Sequence, residues 1–428
     1  MAETRLPESR FRATIRALRH RNFRLFFSGQ IVSLIGTWMQ TVAQSWLVYR
    51  FTGSSALLGS VNFASQIPVF LLSPAGGLVA DRYSRHRVVI ATQAASMLLA
   101  FALAVLTLFK VIKVWEIFVL SALLGVVNAF DIPARQAFIV EMTSREDLIN
   151  AIALNSSAFN GARIVGPAVA GILVAAVGEG WCFFANAVSY LAVIAGLLMM
   201  HVQPFRATHG DSSVLRHVME GFRFVADTAP IRALLLLVGL VSLFGMPFSV
   251  LMPIFADRIL NSGAQGLGIL MGLTGAGALA GALILASRLS VRGLSRWIAI
   301  SSGSFSVLLV VFSYSRSYWL SAALAVPIGF SVMIQMGSTN TLIQSMTADS
   351  LRGRVLAAYS MMLMGMAPIG ALIAGVLADH IGAPATVAAG AVACGIGSAV
   401  FARHLPGIRR EARELIMAQS ATIPPEAS

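Results

Sequence analysis

Twelve apolar stretches, each long enough to cross a lipid bilayer, constrain this chain more than any other feature of its sequence. They come in two sets of six. The first lie near residues 23–49, 55–80, 87–110, 114–140, 150–177 and 181–200; after a polar segment the pattern resumes near 231–256, 264–287, 294–314, 317–345, 354–378 and 382–403. About 20 apolar residues in a helix span the hydrocarbon core. Only 11% of the 428 residues are charged and 57% are hydrophobic, whereas soluble domains carry about 25% charge. So few ionisable side chains cannot make a water-facing surface, so lipid must solvate most of the outside. The expected fold class is an all-α membrane protein with twelve transmembrane helices in two pseudo-symmetric six-helix bundles. The first stretch is too long for a cleavable signal region and is expected to be retained.

A net charge of +13 would by itself suggest a nucleic-acid partner, but the placement of the charges argues otherwise. Twenty-four of the 31 basic residues fall in the N-terminal segment, the alternate loops, the middle linker and the tail; five lie on the opposite side (Arg50, Lys110, Lys113, Arg258 and Arg316). That asymmetry puts both termini in the cytoplasm and makes the charge a topological signal. No nucleic acid is expected as a partner. The division that follows is a basic amphipathic segment 1–22, a six-helix bundle 23–200, a linker 201–230, a second bundle 231–404 and a cytoplasmic tail 405–428. In the linker, Val214, Leu215, Val218, Met219 and Phe222 make one stripe of an amphipathic helix, which would lie along the inner membrane surface. Phe11, Ile15 and Leu18 line up similarly among arginines, for contact with anionic lipid or as a solvated tail.

The halves echo one another. Ser33-Leu34-Ile35-Gly36 recurs as Ser242-Leu243-Phe244-Gly245, and at a constant offset Gly161, Gly166, Gly171 and Gly178 map onto Gly365, Gly370, Gly375 and Gly382. Such a parallel repeat places a binding site between the halves near mid-membrane.

Several motifs carry a family resemblance. The segment Gly77-Leu78-Val79-Ala80-Asp81-Arg82-Tyr83-Ser84-Arg85-His86-Arg87 resembles the loop signature of the major facilitator superfamily, with Ser84 where glycine is usual. Phe23-Arg24-Leu25-Phe26, the run Ala129 to Phe138, Asn160 to Gly171, and Leu351-Arg352-Gly353-Arg354-Val355 are similar to the enterobactin-exporter-like branch of drug:proton antiporters, of the transmembrane secretion effector type. The resemblance implies export of a small molecule across a bacterial inner membrane. Gly166, Pro167 and Gly171 resemble the antiporter signature of the fifth helix, or serve as a packing face of small residues. In the loop signature, Gly77 would permit close helix approach and Asp81 would latch onto a helix N-terminus near Gly353 and Arg354. Arg85 would pair with Glu141, and Arg82 would complete the gating loop; the plainer reading is that these arginines serve topology alone.

Arg163 sits at the midpoint of its stretch, where an arginine needs a partner or a wet cavity. Asp131 is the one acid well inside an apolar stretch and shares a face with Asn128 and Arg135. An Asp131–Arg163 pair is expected, as a proton-coupling element or as a lock between two helices. Gln30, Ser33, Thr37, Gln40 and Gln44 form a polar stripe expected to face the substrate cavity, extended by Asn62, Gln66 and Asn160. In the second half Gln335, Ser338, Met362 and Met366 are candidates, the methionines either adapting to apolar ligands or filling gaps.

Neither lysine follows a glycine-rich loop, the histidines lack metal-ligand spacing, and no nucleophile is placed beside a base. Cys182 and Cys394 read as packing residues. The expectation is a monomeric secondary transporter without cofactor or metal and without catalysis, with a small-molecule substrate, protons and membrane lipids as partners. It would export a drug- or siderophore-like amphipathic or hydrophobic compound by alternating access and proton antiport. A metabolite uniporter or symporter and a lipid flippase are the alternatives.

Overall fold

The computed structural model describes residues 15–202, 223–288 and 290–421, and among them no strand occurs. A short 3-10 turn, Arg16–Arg19, leads into α1 (Arg21–Thr52), α2 (Ser55–Arg82), α3 (Arg85–Leu108), α4 (Val114–Met142), α5 (Leu148–Val177) and α6 (Glu179–Leu198). The second half contains α7 (Ala229–Leu240, continued by shorter turns to Ile259), α8 (Gly263–Ala286), α9 (Leu294–Tyr314), α10 (Tyr318–Met346), α11 (Asp349–Ile381) and α12 (Ala383–Ala421). Of the twelve spans expected, 11 are long and apolar enough to cross a membrane by length and composition. The other is α1, whose apolar run is interrupted by its polar stripe.

The turns after Leu240 alternate wide and tight geometry. Pro247 and Pro253 have no amide hydrogen to donate, so a regular helical ladder cannot run through them. The linker helix expected at 201–230 lies largely outside the described residues, as does Phe11; residues 223–227 are helical, with Val225 buried.

Packing divides the chain into two units. One comprises the described part of Met1–Gln44 with Leu71–His209; the other, Ser45–Phe70 with the described part of Gly210–Ser428. The boundary thus runs through α1 and α2, and contacts inside the second unit explain why. A methyl group added at Gly59 would sit 2.3 Å from the Ala371 carbonyl oxygen, and one at Gly375 would sit 2.6 Å from that of Ser55. The first half of α2 and α11 therefore meet backbone to backbone, as small residues allow.

Each unit has a core at one end. In the first, Phe23 and Phe26 of the Phe-Arg-Leu-Phe motif are fully buried against Val89, Phe138, Ala151 and Leu197. In the second, Ile231, Leu234, Ile343, Val355 and Tyr359 form the centre. The segment expected as a tail from 405 begins as a continuation of α12: Phe401, Ile408 and Ala412 join this core, with Leu405 and Leu415 packed on it. Their spacing of three and four residues puts them on one helix face.

The internal repeat has structural counterparts. Gly178 and Gly382 join α5 to α6 and α11 to α12, with φ 90° and 84°, a backbone region open to glycine. A methyl group at Gly166 would approach the Ile35 carbonyl oxygen of α1 to 2.9 Å, and one at Gly370 the Leu243 carbonyl oxygen of α7 to 2.0 Å. Both contacts fall on the repeated Ser-Leu-x-Gly segments.

Candidate functional site

Asp131 is 3% exposed and held from two helices. Thr92 Oγ1 and Gln93 Nε2, on α3, donate to its Oδ1 at 2.7 and 2.9 Å, and Arg135 Nε, one turn along α4, lies 3.1 Å from Oδ2. The Arg135 contact is an ion pair without hydrogen-bond geometry. The expected partner, Arg163, is not there. An i,i+4 neighbour on the same helix reaches a carboxylate without any tertiary adjustment, and the remaining acceptor capacity of Asp131 goes to α3.

Arg163 is half-buried on α5, with its guanidinium 5.7 Å from the centre of the Trp38 ring on α1. Trp38 in turn meets Phe159 edge-on, centroids 5.7 Å apart. Among the described residues no acid forms an ion pair with Arg163. An arginine at this depth costs about 2.5–3.5 kcal/mol on the lenient insertion scale, and one aromatic face returns about 0.5–2 kcal/mol. The charge is under-compensated.

The polar stripe of α1 is hydrogen-bonded within the first unit. Gln30, Ser33 and Gln40 are 3%, 2% and 6% exposed. Asn186 Nδ2 on α6 donates to Gln40 Oε1 at 2.7 Å, Gln44 Nε2 donates to Ser121 Oγ on α4 at 2.7 Å, and Thr37 Oγ1 donates to the Ser33 carbonyl. Buried amides are drawn to neighbouring helices that offer partners, so Gln40 and Gln44 tie the first unit together. Asn160 is spent on its own helix, donating to the Ser156 carbonyl. Asn62 and Asn128 are half-buried and Gln66 is exposed.

In the second unit Gln335 and Ser338 are buried on α10, and neither the amide of Gln335 nor the hydroxyl of Ser338 has a hydrogen-bond partner among the described residues. Met362 Sδ and Met366 Cγ lie 3.3 and 3.9 Å from where a methyl group on Gly239 of α7 would stand, so both methionines fill the α7–α11 contact.

At the α2–α3 turn, Arg85 Nη1 donates to Glu141 Oε1 at 2.9 Å, and Arg85 Nε donates to the Ala80 carbonyl. Asp81 is 64% exposed at the side chain and 3.7 Å from Arg85; Arg82 is exposed and Arg354 stands in the first turns of α11. The role expected of Gly77 belongs to its neighbour: a methyl group at Gly77 would meet nothing within 4 Å, whereas one at Gly76 would lie 2.1 Å from the Ala129 carbonyl oxygen of α4. On α5, Ala162, Gly166, Pro167, Ala170 and Gly171 are all buried.

Two charged clusters were missed by sequence reasoning. Asp379, on the last turn of α11, accepts from Ser55 N at 2.7 Å, Ala56 N at 3.2 Å and Ser54 Oγ at 2.8 Å. It caps α2 in trans, satisfying amides that open every helix. Beside it Tyr49 Oη donates to Asp257 Oδ2 at 2.8 Å, and Arg258 lies over the Tyr49 ring. The other cluster surrounds Asp147, whose side chain is 0% exposed: Arg16 bonds to Oδ1, while Arg19 and His20 approach Oδ2 at 2.7 Å. Burial alone would raise the Asp147 carboxyl, but hydrogen bonds from His20 and Arg16 and the charges of Arg16 and Arg19 outweigh it and hold the group below its ordinary value. Pairs of serines opening a helix and an acid before a helix were the available signals; neither names its partner, which lies more than a hundred residues away.

A repeated all-helical architecture of helices long and apolar enough to cross a membrane, with an ion-paired acid inside one of them, is a transporter-like arrangement. The chain belongs to the transmembrane secretion effector family of major facilitator transporters, whose profile matches residues 12–424. It is similar to the staphyloferrin A transporter of Staphylococcus aureus, 26% identical over 83% of this chain and 89% of that protein. It is also similar to the multidrug efflux pump Tap of Mycolicibacterium fortuitum, 28% identical over 82% and 88%. Among solved structures, a variant of the nucleoside transporter NupG has the same fold, with a TM-score of 0.72 and 14% identity over 91% of this chain and 99% of that one. The protein is a multi-pass protein of the bacterial plasma membrane.

Proposed function

We propose that the chain exports a small amphipathic or hydrophobic compound, drug- or siderophore-like, in exchange for protons and by alternating access. The observation that carries the reading is Asp131, an acid buried in α4 between Arg135 and two α3 donors. A carboxylate at membrane depth is expensive and marks an ion or proton path. In the cycle Asp131 would serve as the proton-coupling carboxylate, and Thr92 and Gln93 would link its rearrangement to α3. The relatives' named activities, staphyloferrin A transport and multidrug efflux, favour export of such compounds.

In this reading α1 is the twelfth span and both termini are cytoplasmic. Asn62, Gln66, Asn128, Gln335 and Ser338 contribute polar groups to the substrate path. Asp81, Arg82, Arg85, Glu141 and Arg354 serve the cytoplasmic gate, with Gly76 rather than Gly77 at the close helix approach, and Asp379 restrains the α1–α2 turn until the outer side opens. Substrate and proton each bias the equilibrium only by their differential affinity for its two states. Proteoliposomes test the proposal: a pH step should drive erythromycin or staphyloferrin A across the wild-type membrane with counterflow of protons, and Asp131→Asn should keep downhill exchange but lose the pH drive. Undiminished proton-driven movement in Asp131→Asn would reject the coupling role, and immobility of every compound would reject transport.

A further inference from the structure

We propose that Arg163 is the docking point for an anionic group, a carboxylate in the simplest case, on an amphipathic organic substrate whose apolar part rests against Trp38 and Phe159. The inference rests on the transport reading and supplies its substrate chemistry.

The guanidinium cannot snorkel to either membrane face. Arg163 stands midway along the 30-residue helix Leu148–Val177, so each helix end is on the order of 20 Å away at 1.5 Å per residue, beyond the reach of one side chain. Nor is there a resident counter-charge. Among the described residues Arg163 has no ion pair, and Asp131 is already occupied by Arg135, Thr92 and Gln93. Among the described residues the Trp38 ring faces it, which stabilises the cation without accepting any N–H. Five donors in a planar fork are therefore available at membrane depth, a geometry that matches a carboxylate through two parallel hydrogen bonds.

The surroundings select what carries the anion. Phe159, four residues earlier on α5, is 45% exposed, and its edge contact with Trp38 makes an aromatic wall beside the charge. A small hydrated anion gains nothing from such a wall, whereas an amphipathic one buries apolar surface there while its charge meets Arg163. The position is also firm: one turn further along α5, Gly166 packs against the backbone of α1 at Ile35 and Met39, fixing the helix that carries Arg163 to the helix that carries Trp38.

The test is thermal unfolding of the full-length protein in detergent with 2-naphthoate, its neutral isostere 2-naphthamide, and sodium phosphate. Wild type should respond to naphthoate at about tenfold lower concentration than to naphthamide and should not respond to phosphate. Arg163→Gln should raise the ligand-free unfolding temperature, because it removes an under-compensated charge, and should respond equally to naphthoate and naphthamide; Arg163→Lys should retain part of the preference. Equal responses in wild type, a preference that survives Arg163→Gln, or a phosphate response as large as that to naphthoate would overturn the inference. A fall in the ligand-free unfolding temperature of both variants would overturn it too, by making Arg163 a structural residue. Reconstituted protein separates this from the transport reading. Proton-coupled erythromycin movement with no naphthoate preference leaves transport standing and removes the anion site; an Arg163-dependent preference without movement of any compound does the reverse.

Discussion

The two ends of α2 are held in opposite ways. At its start, three bonds from Ser54, Ser55 and Ala56 converge on Asp379, and Gly59 meets Ala371 and Gly375 of α11 at backbone distance. At its finish stand the conspicuous residues of the loop signature, yet Asp81 is largely exposed, Gly77 faces open space, and the one short ion pair runs from Arg85 to Glu141. The motif's own residues are thus loosely engaged although the adjacent Gly76 meets α4 at backbone distance, and an unremarked acid at the end of α11 holds the other end. Exposure suits a group that exchanges partners during a cycle, whereas a trans cap suits a group that must be broken cooperatively.

Substitutions can break or sharpen that contrast. The largest effect is expected from Gly59→Val, which should destabilise the protein by about 1–3 kcal/mol through overpacking; Gly77→Ala should be neutral or stabilising by a few tenths to about 1 kcal/mol. Equal melting temperatures for the two variants in detergent would erase the difference between the ends. Next comes Asp147→Asn, a control at a buried carboxylate outside α2, with an expected loss of about 1–3 kcal/mol. Because folding lowers the Asp147 pKa, its contribution is present above the ordinary carboxylate range and vanishes as pH falls through the folded value. The wild-type advantage over Asp147→Asn should therefore shrink on acidification below about pH 4, and an advantage that grows there would contradict the assignment.

Asp379→Ala removes a cap and should cost about 0.5–2 kcal/mol, with faster hydrogen exchange confined to the Ser55 and Ala56 amides. Unchanged exchange at those amides would mean the cap carries no stability. The smallest effect is expected at the other end: a double-mutant cycle on Arg85 and Glu141 should return about 0.2–1 kcal/mol. A coupling larger than the Asp379 effect would invert the comparison.

The intramembrane charges show how far sequence reasoning reached. Asp131, Arg135 and Arg163 stand out in apolar stretches because charge at membrane depth is costly, and the spacing from Asp131 to Arg135 was legible as a shared face. The remaining partners were not: Thr92 and Gln93 of α3 reach the same carboxylate, and Trp38 lies beside Arg163. The partners of the α1 stripe were hidden for a related reason. Period identifies a polar face but not its neighbour, and Asn186 and Ser121 turned Gln40 and Gln44 inward.

By itself the sequence determined the helical class, the positions of the spans, and the repeat that places glycines on matching α1 and α7 segments. These follow from hydrophobic length and local spacing, both one-dimensional. Tertiary structure alone decided that α2 splits between two units, that α11 caps it, that α12 continues as a packed helix past residue 404, and that Arg135 and Arg163 have different fates. Each of those outcomes is a competition among partners distant in the chain, settled by which helices approach closely enough for a carboxylate, an amide or an aromatic face to be within reach.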